Sequence, residues 1–174
     1  PIGEEAWGAI WEGARAWRGP IAEDVLIPYL VHHLDLRWND ALRVTPRDWS
    51  KLALRGQSWP AMQLCCTLDL TRMHANPDRL SELARCKHLD HITQIDLSKN
   101  SFDASCADAL LQVPCMRQVR RLSFHSIGLF AITFSGIKRL GARLAHDAEA
   151  SARIVIETPR ATLPLGEYIA YMNR

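Results

Sequence analysis

Three groups of side chains in this sequence have the types and spacing to do chemistry. Cys86-x-His88-x-x-His91 gathers a thiol and two imidazoles, the ligand types zinc takes. Cys106 or Cys115 with a histidine elsewhere would supply a nucleophile and its base. Asp35, Asp69 and Asp96 offer carboxylates for a cation or for acid–base work. The first group has no fourth ligand nearby in the sequence. The second has no local motif, and five cysteines with seven histidines generate such pairs by chance. A glycine-rich phosphate loop and a nucleophile elbow are both absent from the sequence. No catalytic residue, metal ligand or cofactor is assigned on these grounds.

The carboxylates have a spacing that elements of structure explain. Leu68-Asp69-Leu70, Ile95-Asp96-Leu97 and Leu122-Ser123-Phe124 share the apolar–polar–apolar form of a short strand. Their first residues lie 27 apart (95 − 68 and 122 − 95). Met62, Leu89 and Met116 hold the same interval, as do Cys65, Ile92 and Val119, and Leu83, Leu110 and Ile137. A fixed period of this length signals stacked supersecondary units. In that register Leu89 and Ile92 are core positions, so His88 and His91 project from a return loop. The aspartates then repeat because the unit repeats.

Helix starts punctuate the same units. Asn76-Pro77-Asp78 sets a cap, a first-turn proline and an acid before Leu80, Leu83 and Ala84. Asp103 or Ser105 would cap a helix through Ala107, Leu110 and Leu111, and a third would run from about Thr133 to Leu144. Strands separated by helices pair in parallel. Upstream, residues 3–18 place Trp7, Ile10, Trp11, Ala14 and Trp17 on one helical stripe that Gly19-Pro20 ends. A second helical stretch, 21–33, follows. Leu34-Asp35-Leu36 reads as an irregular first strand. Its interval to Leu68 is 34 (68 − 34), which requires an insertion of seven. Thr45-Pro46-Arg47-Asp48 would start a helix inside that insertion. At the other end, Arg153 to Glu157 reads as a last strand, Thr158 to Pro164 as a turn, and Leu165 to Met172 as a short amphipathic segment.

Composition bounds the rest. The 174 residues are 48% hydrophobic and 23% charged, with a net charge of +2. That is a globular balance without the basic excess of a nucleic-acid or anionic-membrane binder. The odd, partly adjacent cysteines (Cys65-Cys66) do not form a secreted disulfide pattern and point to a reducing, cytoplasmic setting.

Ile92-x-x-Ile95-x-Leu97-x-x-Asn100 resembles the leucine-rich repeat motif, and Leu34-x-Leu36-x-x-Asn39 resembles its second half. Period and helical second half resemble the ribonuclease-inhibitor-like class, strongly over about 62–140. Met73 and Ile127 depart from the asparagine column, whose side chain in that family satisfies backbone groups of the turn after each strand. The resemblance implies an α/β solenoid: a parallel sheet on the concave face, helices on the convex face, and a helical N-terminal cap. It divides the chain into a cap over 1–33, repeats over 34–157 and a C-terminal cap over 158–174. It also implies a non-catalytic recognition domain that binds a protein or peptide on the concave face. The outward residues there would be Asp35, Arg37, Asp69, Thr71, Gln94, Asp96, Ser98, Arg121, Ser123 and His125, with Arg153, Val155 and Glu157 on the last strand. The alternatives are a small enzyme or metal-dependent protein built on the Cys/His residues, and an autoinhibitory or spacer domain contacting its own chain.

Overall fold

The computed structural model describes residues 65–72, 74–85, 89–125, 130–145 and 147–173, together with 9, 13, 21–26 and 43–44. The remaining residues, among them Asp35, Arg37, Trp7, Trp11, Trp17, Met73, Cys86, His88 and Ile127, lie outside that set.

The described strands are β1 (Arg43–Val44), β2 (Thr67–Asp69), β3 (Gln94–Asp96), β4 (Arg121–Ser123), β5 (Val155–Glu157) and β6 (Thr162–Pro164). They form one sheet in chain order, with β1 to β5 parallel and β6 antiparallel to β5. The helices α1 (Pro77–Leu83) and α2 (Ala104–Leu110) carry β2 to β3 and β3 to β4. Between β4 and β5 run α3 (Phe130–Leu144) and α4 (Ala148–Arg153), and α5 (Leu165–Met172) follows β6. The chain is therefore α/β, with a mostly parallel sheet.

The repeat interval is the pairing register. Leu68 pairs with Ile95 and Ile95 with Leu122, so the period of the sequence is the step from strand to strand. These three and Ile156 are at most 1% exposed, and they meet Leu80, Leu83, Leu110, Ile137 and Leu140 from the helices in one core. Cys65, Ile92 and Val119 hold the same interval in the same core and are each 0% exposed. Because side chains alternate along a strand, the residues flanking Leu68, Ile95 and Leu122 point away from the helices.

Local chemistry sets the helix ends. Asn76 caps α1 by accepting the Arg79 N–H at 2.9 Å, with Pro77 in the first turn. Asp103 caps α2 by accepting the Cys106 N–H at 2.8 Å and a hydrogen bond from the Ser105 hydroxyl at 2.7 Å. These bonds hold the Asp103 carboxyl below its usual range, Ser105 contributing most and the Cys106 amide next.

Both ends of the sheet differ from expectation. The partner of β2 is Arg43–Val44, with Val44 opposite Leu68 at an interval of 24 (68 − 44), so this step holds no insertion. The seven additional residues fall after β4, where Leu122 pairs with Ile156 at an interval of 34 (156 − 122). Arg153 is not on the last strand but ends α4. Its guanidinium donates to the Val119 and Met116 carbonyls at 3.2 and 3.3 Å, capping the 3₁₀ turn Pro114–Arg117. The third expected helix begins at Phe130 rather than near Thr133. The stretch read as a plain turn carries β6. Thr158 closes that hairpin, its hydroxyl donating to the Ala161 carbonyl and accepting the Ala161 N–H. Pro164, which has no N–H for a ladder, sits at the end of this outer strand.

Candidate functional site

The sheet face opposite the helices carries two side-chain columns, set by the pairing register. Asp69, Asp96, Ser123 and Glu157 form one, and Thr67, Gln94, Arg121 and Val155 the other. Arg121 and His125 are exposed, while Asp69, Thr71, Gln94, Asp96 and Ser123 are half-buried. Thr67 is buried at 4% exposure. With β1 at 43–44, the run of neighbouring aspartates among the described residues is Asp69 and Asp96.

These aspartates have local work. Asp69 Oδ1 accepts the Thr71 N–H and Asp96 Oδ1 accepts the Ser98 N–H, both at 2.9 Å, so each carboxylate closes the turn after its own strand. Parallel strands lie about 4.8 Å apart, so the two carboxylates are neighbours. Like charges at that distance repel by about 1 kcal/mol in a water-like medium. A hydrogen bond to a charged group contributes about 1.5–3 kcal/mol. The turn bonds therefore outweigh the repulsion within the pair, and the second oxygen of each carboxylate takes no hydrogen bond among the described residues.

Ser98 departs from the outward placement expected for it. It is 4% exposed, and its hydroxyl accepts the His125 N–H at 2.8 Å, joining the turn after β3 to that after β4. Asn100 explains the depth of this edge. At 3% exposure it donates through Nδ2 to the Leu70, Leu97 and Ser98 carbonyls at 2.8, 3.0 and 3.2 Å. Its Oδ1 accepts the Ala75 N–H at 3.1 Å. One side chain thus satisfies backbone groups of two successive turns.

A cluster at β4 and β5 escapes sequence reasoning. The Ser123 hydroxyl donates to Glu157 Oε2 at 2.7 Å, and His125 Nε2 lies 3.9 Å from Glu157 Oε1. Serine, histidine and glutamate meet here, but the order is not that of a nucleophilic triad. The hydroxyl is spent on the carboxylate, and the imidazole touches the other oxygen of that carboxylate rather than the serine. The visible signal is Glu157 ending its strand, as Asp69 and Asp96 end theirs.

The candidate nucleophiles lie in the core. Burial pushes the Cys106 thiol up to about 11 and the Cys115 thiol up to about 12, so both hold their protons at neutral pH. Of the Cys/His set, His91 is half-buried, and Cys86 and His88 lie outside the described residues. Among the described residues no three His, Cys, Asp or Glu side chains gather as metal ligands. Among them, too, no helix is long and apolar enough to cross a membrane.

Comparison with protein-family models, with curated proteins and with solved structures finds no match to this chain. Its site is accordingly defined by geometry: an α/β sheet face on which β2 and β3 each set an aspartate and a tightly bonded turn.

Proposed function

We propose that the chain is a leucine-rich-repeat solenoid that binds a protein or peptide on its open sheet face, as the recognition or targeting domain of a larger protein. The observation that carries this reading is the register: Asp69 and Asp96, paired side by side on the face away from the core, repeat with the same turn geometry. Asn100 supports the family assignment, because its bonds to successive turns are the role that family gives its asparagine. A partner bearing lysine or arginine would complete the second carboxylate oxygens, with complementarity acting on specificity and encounter rate. The buried thiols Cys106 and Cys115 suit a reducing, cytoplasmic setting.

Selection from a displayed random-peptide library tests the reading. Peptides recovered on the wild-type chain are expected to be rich in lysine and arginine. They should lose about tenfold affinity for an Asp69→Asn/Asp96→Asn variant. Asparagine keeps the oxygen that accepts the turn N–H, so the fold is retained while the charge goes. Equal binding to both proteins would sink the proposal.

A further inference from the structure

The aspartates are not the one charged feature that repeats along this edge. Arg72 and Lys99 hold the same interval of 27 (99 − 72), each three positions after the aspartate of its own turn. Both are exposed, and both have a left-handed backbone, with φ of 57° and 59°. That conformation strains any residue with a Cβ, and glycine or asparagine would occupy it at less cost. The turn itself is held by other groups: the Thr71 and Ser98 amides on the aspartates, and the Arg72 N–H on the Ser98 carbonyl at 3.2 Å. Neither cation forms a side-chain hydrogen bond or ion pair among the described residues. Elsewhere the arginines that serve packing are engaged, as Arg139 and Arg143 are with Asp108 and Arg153 is with two carbonyls. The described residues give Arg72 and Lys99 no comparable task.

We propose that Arg72 and Lys99 form a second, cationic row of the recognition surface and take the carboxylates of an acidic peptide segment in the partner. The proposal deepens the sheet-face reading and rests on it in treating the chain as a binding module. The partner then presents two kinds of charge, basic groups over Asp69 and Asp96 and acidic groups over the turns beyond them. Neighbouring turns follow strands about 4.8 Å apart, and alternate residues of an extended segment are about 6.6 Å apart, so two acids of one segment can reach both cations. A nucleic-acid or anionic-lipid backbone offers anions alone and would meet Asp69 and Asp96 with phosphates, whereas a peptide can carry basic groups for the aspartates and acidic groups for the cations. The row also has an end. At β4 the aspartate position is Ser123, already bonded to Glu157, so the footprint covers the turns of β2 and β3.

The test is fluorescence anisotropy of labelled hexaglutamate titrated with the full chain at low ionic strength. Wild type is expected to bind, and Arg72→Gly/Lys99→Gly to weaken binding by about tenfold. Glycine accepts the left-handed backbone, so the variant should fold, and an unfolding midpoint no lower than that of the wild type checks this. Arg117→Ser/Arg120→Ser removes equal charge near the opposite end of β4 and should leave hexaglutamate binding unchanged. Equal binding by the glycine variant overturns the proposal, as does an equal loss in the serine variant. It is also overturned if a single-stranded RNA of matched charge binds more tightly than the peptide and depends on Arg72 and Lys99. Asp69→Asn/Asp96→Asn should leave hexaglutamate binding intact or tighten it. Failure of the sheet-face reading with basic peptides is thereby separable from failure of the cationic row.

Discussion

From β2 to β4 successive strands stand at an interval of 27 with one α-helix between them among the described residues, whereas from β4 to β5 the interval is 34 and holds two. The two regions are held by different means. In the regular part the turns after successive strands are tied by repeated side-chain bonds to the backbone, from Asp69, Asp96 and Asn100. At the C-terminal end such repetition stops, and bulk takes over. There α3 and α5 close the core with Ile137, Leu140, Leu165 and Tyr168, and the antiparallel β6 covers the edge of β5. The difference extends to the pairing of polar groups. The buried polar atoms without a partner among the described residues, Thr133 Oγ1 and Tyr168 Oη, both belong to the irregular end. Repetition lets one well-satisfied turn serve several strands, and a terminal unit loses that benefit.

Removing Asn100 should expose this contrast most strongly. Asn100→Ala deserts the Ala75 N–H and the Leu70 and Leu97 carbonyls at a buried place. A loss of about 2–4 kcal/mol is expected in urea unfolding, since each deserted buried group costs about 1–3 kcal/mol and water will recover part. A loss below that of an ordinary surface substitution would show that the turns do not depend on this side chain.

Two glycines of α3 compare the regions next. A Cβ on Gly136 would run into the Phe102 carbonyl oxygen and lie 2.8 Å from that of Asp103, where α3 meets the start of α2. Backbone cannot yield cheaply, so Gly136→Ala should cost about 1–3 kcal/mol. At Gly141 the obstacle is the tip of Ile169 on α5, which can change rotamer. Gly141→Ala should therefore lie close to neutral, as a gain of about 1 kcal/mol in helix propensity offsets repacking. Equal costs in thermal melts would mean that α3 is seated alike on both neighbours. Tyr168→Phe is smaller and opposite in sign. The phenol is 0% exposed with its hydroxyl unpaired among the described residues, so deleting that oxygen should stabilise by about 1 kcal/mol. A destabilised variant would reveal a partner for the hydroxyl.

The same contrast governs what can be read from sequence. Columns such as Leu68, Ile95 and Leu122 are legible because the period imposes one burial pattern three times. Asn76-Pro77-Asp78 is legible because a cap and a first-turn proline act locally. β1 is not, since Arg43–Val44 is a two-residue strand recognised by its neighbour rather than by a pattern of its own. The run Ala148–Arg153 has no apolar stripe, and its helix shows in the Asp147 cap on the Ala150 N–H. β6 is masked by Pro164, a residue tolerated at an outer strand. At the site, the aspartate ladder follows from the period. The Ser123–Glu157 bond does not, because it spans the irregular interval. The inward turn of Ser98 is equally hidden, as alternation assigns a face within a strand but not in the turn beyond it.

The regular and irregular parts meet at Asp108 on α2, whose carboxylate accepts from Arg139 Nε, shared between its two oxygens, from Arg139 Nη2 and from Arg143 Nε, all on α3. Arg139 first and Arg143 second hold the Asp108 carboxyl below its ordinary value of 3.8. A carboxyl whose folded value is depressed stabilises the fold at pH above its unfolded value, and that contribution is lost as pH falls through the folded one. The wild type should therefore exceed Asp108→Asn in unfolding midpoint at neutral pH. The gap should narrow as pH falls below 3.8 and close in stronger acid. All three side chains are partly exposed, so the gap should be modest and should shrink with added salt. A gap that persists unchanged into acid would mean that asparagine fails through packing rather than charge, and that the junction of α2 and α3 rests on shape.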